Sequence, residues 1–126
     1  MAKRVLVVED DLLNRMLYCA VLEADGFIVE PISDGAYVME AARAFKPDVA
    51  IMDINLPNVS GIELIEEIRA DAALRKVPVL AVTAYVGKWE EARIRRAGAN
   101  NFLPKPVSIK PLLKAVNELI EPAPAS

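Results

Sequence analysis

Short apolar runs alternate along the chain with longer segments in which apolar residues recur at helical spacing. The apolar runs are Val5–Val8, Phe27–Ile32, Val49–Met52, Val79–Val82 and Asn101–Leu103. The segments with helical spacing are Leu12–Ala24, Ala36–Phe45, Gly61–Ala70, Lys88–Ala97 and Ile109–Ile120. Five strands in strict alternation with five helices are typical of βα units that build a parallel sheet with helices on both faces. The pattern predicts a doubly wound α/β fold.

Glycine and proline positions support these boundaries. Gly26 and Gly98 follow the first and fourth helices, where a C-cap belongs. Pro78 precedes the fourth strand, which fits because a proline disfavours helical conformation in the residue before it. We expect one domain over residues 1–121, and a disordered tail over 122–126 because that segment cannot build on a core.

Composition narrows the range of functions. The chain has 126 residues and a net charge of -3, so it has no general attraction to nucleic acid or to an anionic membrane. One cysteine excludes an internal disulfide, and no apolar stretch approaches the ~20 residues that span a bilayer. We expect a cytoplasmic monomer. With no histidine, the chemistry must use carboxylates, hydroxyls, lysine or the backbone.

Polar side chains follow several of the predicted strands. Glu9 and Asp10 come after the first strand, Asp53 after the third, Thr83 after the fourth, and Lys105 shortly after the fifth. Each residue alone is common at a helix N-cap or in a turn. Because the carboxyl ends of parallel strands meet at one edge of the sheet, the set as a whole predicts a ligand site there.

This combination of side chains favours phosphoryl chemistry. Neighbouring carboxylates repel one another unless a cation lies between them, and oxygen ligands without histidine favour Mg²⁺. A lysine and a threonine beside the metal are suited to binding phosphoryl oxygens. A carboxylate can itself attack phosphorus and form an aspartyl phosphate.

At this point the sequence resembles the receiver domains of response regulators. The match runs from about Arg4 to Ile120. It rests on Glu9-Asp10, the string Met52-Asp53-Ile54-Asn55-Leu56-Pro57 with Gly61 after it, Thr83-Ala84, and Phe102 followed by Lys105-Pro106. Within the family the chain looks most similar to single-domain receivers of the DivK type. The resemblance implies a CheY-like, flavodoxin-like sheet with strand order 2-1-3-4-5.

The resemblance also implies roles for these residues in a bacterial two-component phosphorelay. Asp53 would accept a phosphoryl group from a histidine kinase or a histidine-phosphotransfer protein. Mg²⁺ would be held by Asp10, Asp53 and the main-chain carbonyl of Asn55, with Glu9 acting through water. Thr83 and Lys105 would contact the phosphoryl oxygens. The Lys105–Pro106 bond would be cis. Such a domain catalyses only its own phosphorylation and dephosphorylation, and is not otherwise an enzyme.

In the family, a switch couples the threonine to an aromatic residue, here Phe102. A phenylalanine has no hydroxyl, so only reorientation of the ring is available to it. The fourth helix adjoins both positions, and Trp89 lies off its core stripe. We therefore expect Trp89 to belong to the surface that signals phosphorylation, with Arg93 one turn later able to stack on it.

The first helix carries more apolar residues than one core stripe needs. One face contains Leu17 and Val21 with Tyr18, whereas Leu13 and Met16 lie on another. Either one broad face is buried, or Leu13 and Met16 dock a helical partner together with Pro106.

Three other functions remain to be weighed. A Mg²⁺-dependent phosphatase with an aspartyl nucleophile typically needs a second aspartate where Asn55 stands. A flavin- or nucleotide-binding protein typically has a glycine-rich loop after the first strand, and this chain has acidic residues there. A phosphorylation-independent interaction module would not need the acceptor set. The residues favour the phosphoacceptor.

Overall fold

We describe a computed structural model of the chain, which covers residues 2–85 and 87–121. The tail predicted at 122–126 lies outside the described residues. The strands are β1 Arg4–Val8, β2 Ile28–Ile32, β3 Val49–Asp53, β4 Val79–Thr83 and β5 Asn101–Pro104. The helices are α1 Leu12–Ala24, α2 Val38–Phe45, α3 Gly61–Ala70, α4 Lys88–Ala97 and α5 Ile109–Ile120.

The strands form one parallel sheet in the order β2-β1-β3-β4-β5, which confirms the predicted fold class. β1, β3 and β4 are the three inner strands, and their apolar residues are buried on both faces. That explains why their sequences read as continuous apolar runs rather than alternating ones. β2 is one residue shorter than predicted, and β3, β4 and β5 each continue one residue further.

Successive residues along a strand point to opposite faces of the sheet, so the strands contribute to two separate hydrophobic cores. One, the α1/α5 cluster, contains Val5, Val7 and Ile51 with the buried side chains of α1 and α5. The other, the α2–α4 cluster, contains Leu6, Met52 and the buried side chains of α2, α3 and α4. The sheet therefore lies between two helical layers, as a doubly wound fold requires.

Local signals in the sequence explain where the helices begin and end. The side chains of Asp11 and Ser60 accept backbone N–H groups in the first turns of α1 and α3. Gly98 ends α4 at a φ of 122°, which a residue with a Cβ rarely adopts. The second helix differs from the prediction, because a short 3₁₀ turn over Gly35–Tyr37 precedes it.

Gly61 lets the start of α3 lie directly against the end of β3. A Cβ at this position would approach the carbonyl oxygen of Asp53 to 2.4 Å and the Cα of Ile54 to 2.6 Å. Both are backbone atoms that cannot swing aside, so only glycine fits without displacing β3. The polar residue at the end of β3 is thereby held in a fixed position.

The expected core face of α1 is wrong in one respect. Tyr18 and Leu22 are the buried residues of this helix, whereas Leu17 is 43% exposed and Leu13 is 75% exposed. The predicted face includes Tyr18, which is buried, but the helix rests on the sheet through the row Tyr18–Leu22 and Leu17 is exposed. The other predicted row, with Leu13 and Met16, is exposed. Among the described residues, no helix combines the length and the apolar character needed to cross a membrane.

Two matched truncations test the corrected core face. We expect Leu22→Ala to lower the free energy of unfolding by about 2–5 kcal/mol, because it opens a cavity in the α1/α5 cluster. Leu17→Ala, at an exposed site in the same helix, should cost less than about 1 kcal/mol. Urea unfolding of the two variants measures both values. Equal losses would contradict the assignment.

Candidate functional site

Three carboxylates converge at the carboxyl edge of the sheet. β1 and β3 are neighbours in register, with Val8 beside Met52, so the residues that follow them are brought together. One oxygen each from Glu9, Asp10 and Asp53 lies within 4.8 Å of the others. Glu9 and Asp53 are buried and Asp10 is exposed. The site therefore has two buried carboxylates at its base and one at its mouth.

Lys105 supplies the positive charge beside this group. Its Nζ lies 3.1 Å from Glu9 Oε1 and 3.1 Å from Asp53 Oδ2. The backbone N–H of Lys105 donates to the carbonyl of Thr83 at 2.8 Å, which fixes the chain beyond β5 against the end of β4. The following Lys105–Pro106 bond is cis, as the sequence predicted. One lysine thus faces both buried carboxylates.

The buried carboxylates have free coordination capacity. Within the described part of the chain, Glu9 Oε1 and Asp53 Oδ2 are buried oxygens without a hydrogen bond, although both lie near the ammonium group. A buried acceptor without a donor is costly, and hard oxygen ligands suit Mg²⁺. The donor set of Glu9, Asp10 and Asp53 fits a divalent cation.

The two buried carboxyl groups titrate as a pair. Burial and then the adjacent Asp53 raise the pKa of Glu9 to about 7, and Lys105 opposes the change. Burial also acts against ionisation of Asp53. The neighbouring Glu9 carboxyl, the N–H of Asn55 and the ammonium of Lys105 outweigh that effect, and the pKa of Asp53 falls below its usual range. Asp53 is accordingly the ionised member of the pair.

Two loops close around Asp53. The N–H of Asn55 donates to Asp53 Oδ1 at 2.9 Å, and the Asn55 side-chain oxygen accepts the N–H of Ala84 at 2.9 Å. The hydroxyl of buried Thr83 accepts the N–H of Tyr85 at 3.1 Å and lies 3.3 Å from its carbonyl. The loop after β3 is therefore tied to the loop after β4 across the site.

Arg15 supports the acidic loop from α1. Its Nη1 donates to the carbonyl oxygens of Glu9 at 2.9 Å and Asp10 at 3.1 Å. Sequence reasoning missed this residue and also the contact between the Asn55 side chain and Ala84. A signal for Arg15 existed, because side chains near the start of a helix lean back toward its N-terminus. Asn55–Ala84 joins residues 29 apart in sequence and left no local pattern.

Phe102 is partly buried and packs against the α2–α4 cluster. Its neighbour across the sheet is Ala81 in β4, two residues before Thr83. The guanidinium of Arg95 lies 5.2 Å from the centre of the Phe102 ring. Phe102 therefore lies between β4 and the Arg95 guanidinium of α4, on the face of the sheet that α4 covers.

Trp89 lies on the outer side of α4 and is 84% exposed. The expected stacking with Arg93 is not what the structure shows, because Arg93 pairs instead with Glu90 at 3.3 Å. Arg95 likewise lies 3.6 Å from Glu91. Both arginines therefore have acidic neighbours on their own helix.

The residues expected to meet a partner are all accessible. Leu13 and Met16 are exposed on α1, and Pro106 is exposed after β5. Leu12 and Leu17 extend the apolar surface of α1. We call Leu12, Leu13, Met16 and Leu17 the α1 patch.

Comparison with known proteins places this arrangement in a family. The family model for the response regulator receiver domain matches residues 5–117. The polar-differentiation response regulator DivK of Brucella anthropi is 37% identical over 120 residues, which cover 95% of this chain and 98% of that protein.

Solved structures agree. The receiver domain of a sensor histidine kinase from Pseudomonas aeruginosa, which has a magnesium ion coordinated in its active-site cleft, superposes with a TM-score of 0.87 at 30% identity. It matches over 95% of this chain and 98% of that one. The chemotaxis response regulator CheY4 of Vibrio cholerae superposes with a TM-score of 0.89 at 27% identity, over 94% and 99% of the two chains. The chain belongs to the response regulator receiver domain family.

Proposed function

We propose that Asp53 is the phosphoacceptor of this receiver domain and that its phosphorylation controls which proteins the chain binds. One observation carries the proposal. A buried, ionised carboxylate at the end of β3 lies 3.1 Å from the Lys105 ammonium and within 4.8 Å of two further carboxylates. A nucleophile, a cation that offsets charge and a metal-binding oxygen set thus occupy one place.

The transfer step forms one bond and breaks another. An oxygen of Asp53 attacks the phosphorus of a partner's phosphohistidine, the new P–O bond forms, and the P–N bond breaks. The imidazole leaves and takes up a proton, so the phosphoryl group ends as an acyl phosphate on Asp53. Lys105 contacts the phosphoryl oxygens and offsets their charge, since it already lies beside Asp53 Oδ2.

Mg²⁺ fits this site because two buried oxygens there lack hydrogen bonds. Asp10, Asp53 and the Asn55 carbonyl would hold it, with Glu9 acting through water. When bound, the cation offsets the negative charge that the carboxylates and the phosphoryl group bring together. Thr83 contributes a hydroxyl at the end of β4, which is engaged by the Tyr85 backbone in this structure. That hydroxyl would turn to a phosphoryl oxygen.

Incubation with acetyl phosphate and Mg²⁺ tests the acceptor directly. We expect a mass increment of one phosphoryl group on the wild-type protein, released by hydroxylamine as acyl phosphates are. Asp53→Asn should show none, because an amide is a poor nucleophile for phosphorus. Omission of Mg²⁺ should strongly reduce labelling of the wild type.

Glu40→Gln is the matched control, because Glu40 is an exposed carboxylate on α2 away from the site. Its labelling should equal that of the wild type. Retained labelling in Asp53→Asn would overturn the assignment of the acceptor. An unlabelled wild type would favour the alternative of a phosphorylation-independent interaction module.

We also propose that the α1 patch, with Pro106, docks the helical protein that bears the donor histidine. The four apolar side chains of the patch are each at least 43% exposed, and Asp11 alone separates α1 from the acidic pair Glu9-Asp10. An apolar surface beside a reaction centre is suited to holding a partner helix while the reacting atoms meet. A histidine kinase or a histidine-phosphotransfer protein supplies that helix.

Leu13→Asp tests the docking surface. A carboxylate placed in an apolar contact is costly, so transfer from a phosphorylated histidine-bearing partner should slow by about tenfold, equivalent to about 1.4 kcal/mol. Labelling by acetyl phosphate should not change, because a small donor does not need the patch. Ala72→Asp, at an exposed turn position, controls for the added charge. Unchanged transfer in Leu13→Asp would contradict the proposal.

The third part of the proposal concerns the outgoing signal. Thr83 and Phe102 form the switch, and Trp89 with its surroundings forms the surface that is read. Support comes from the packing, since Phe102 neighbours β4 and lies 5.2 Å from Arg95 of α4. Without a hydroxyl, Phe102 transmits the change only through the position of its ring.

The fluorescence of Trp89 provides the readout, because it is the single tryptophan of the chain. We expect acetyl phosphate with Mg²⁺ to change its intensity or emission maximum in the wild type and to leave Asp53→Asn unchanged. A flat signal from a wild-type sample whose mass shows full labelling would exclude Trp89 from the responding surface.

A further inference from the structure

One residue, Arg15, satisfies every main-chain carbonyl of the acidic loop. Its guanidinium Nη1 donates to the carbonyls of Glu9 and Asp10, at 2.9 and 3.1 Å. Its backbone N–H donates to the carbonyl of Asp11 at 2.9 Å. The Glu9 and Asp10 carbonyls therefore depend on one side chain of α1 for their orientation, whereas the Asp11 carbonyl is held by the helix backbone.

The other hydrogen bonds of this loop do not use the Glu9 and Asp10 carbonyls. The N–H of Glu9 donates to Ile32 in β2 at 3.0 Å, and the N–H of Asp11 lies 3.3 Å from Glu9 Oε2. The Asp11 side chain caps the N–H of Asn14 at 2.9 Å. Without the guanidinium, the Glu9 and Asp10 carbonyls would lose the partner that fixes both peptide planes.

We propose that Arg15 is a positioning residue for the metal site: it clamps the acidic pair so that the Asp10 and Glu9 carboxylates point toward Asp53. The inference rests on the proposed function, because it takes the carboxylates as the Mg²⁺ site. Groups that orient metal ligands without touching the metal commonly determine its affinity. Arg15 acts through the backbone that carries the ligands.

The direction in which loss of the Arg15 side chain changes Mg²⁺ affinity distinguishes a positioning role from a purely electrostatic one. A guanidinium near a cation site repels the cation, so its removal should tighten Mg²⁺ binding if charge were its main influence. A clamp has the opposite effect, because its removal lets the two ligands turn away. The two explanations predict changes in affinity of opposite direction.

Mg²⁺ titration by calorimetry at fixed ionic strength measures the outcome. We expect Arg15→Met to weaken Mg²⁺ binding by about tenfold, in the range found for residues that orient metal ligands. Arg15→Lys keeps the charge and some donor capacity, so its affinity should lie between. Arg96→Met removes the same charge from an exposed position on α4 and should not weaken binding. Binding by Arg15→Met that equals or exceeds the wild type overturns the clamp.

Urea unfolding without Mg²⁺ shows whether each variant is folded, and a purely structural role would change stability while leaving the affinity of the folded protein alone. If Arg15→Met does not fold, Arg15→Lys decides. Weaker Mg²⁺ binding than the wild type supports the clamp, and equal or tighter binding overturns it.

The titration uses no phosphodonor, so it is independent of the acceptor test. A wild-type protein that binds Mg²⁺ but takes no label from acetyl phosphate would overturn the proposed function. The Mg²⁺ affinity of Arg15→Met would still test the clamp. A labelled wild type, with Arg15→Met of unchanged affinity, would end the clamp alone.

Discussion

The ammonium group of Lys105 is what allows two carboxylates to be buried side by side. Burial of an uncompensated charge costs several kcal/mol, and Glu9 and Asp53 would add their mutual repulsion. Lys105 lies 3.1 Å from an oxygen of each and is itself held by the carbonyl of Thr83. The pair responds by separating its pKa values, with Glu9 raised to about 7 and Asp53 lowered. Asp53 is thus kept ionised, whereas ionisation of Glu9 is suppressed.

The rest of the fold keeps these groups in register. β1 and β3 are paired with Val8 beside Met52, and β3 and β4 with Asp53 beside Val82, so Thr83 comes one residue beyond the neighbour of Asp53. Gly61 admits the start of α3 against the Asp53 carbonyl, where a Cβ would approach to 2.4 Å. Because β1, β3 and β4 are buried on both faces, the residues at their ends have little freedom to move.

Much of this could be predicted from the sequence, for physical reasons. The continuous apolar runs of β1, β3 and β4 mark strands covered on both faces, and the residue after each run then marks the edge of the sheet. That reasoning brought together Glu9, Asp10, Asp53 and Lys105, which the structure also brings together. The resemblance to receivers added Asn55, Phe102 and the cis bond.

Other features had no such signal. Apolar residues lie on several sides of α1, so its sequence allows more than one apolar stripe, and only the packing shows that Leu22 joins Tyr18 in the core while Leu17 stays exposed. The choice of Glu90 rather than Trp89 as the partner of Arg93 depends on rotamers that spacing does not fix. Arg15 was missed for a different reason: its position near the start of α1 indicates that it leans back toward the loop, but its partners there are carbonyl groups, which every residue has.

The division of the core into two clusters also separates the surfaces of the molecule. The α1 patch belongs to the layer built on the α1/α5 cluster, whereas α4 and Trp89 belong to the opposite layer. A protein seated on α1 leaves the outer side of α4 uncovered. If the α1 patch docks the donor and the surface around Trp89 is read by a target, as proposed, the two partners bind on opposite layers of the molecule. Their arrival and departure would then be governed by the chemistry at Asp53 rather than by competition for one surface.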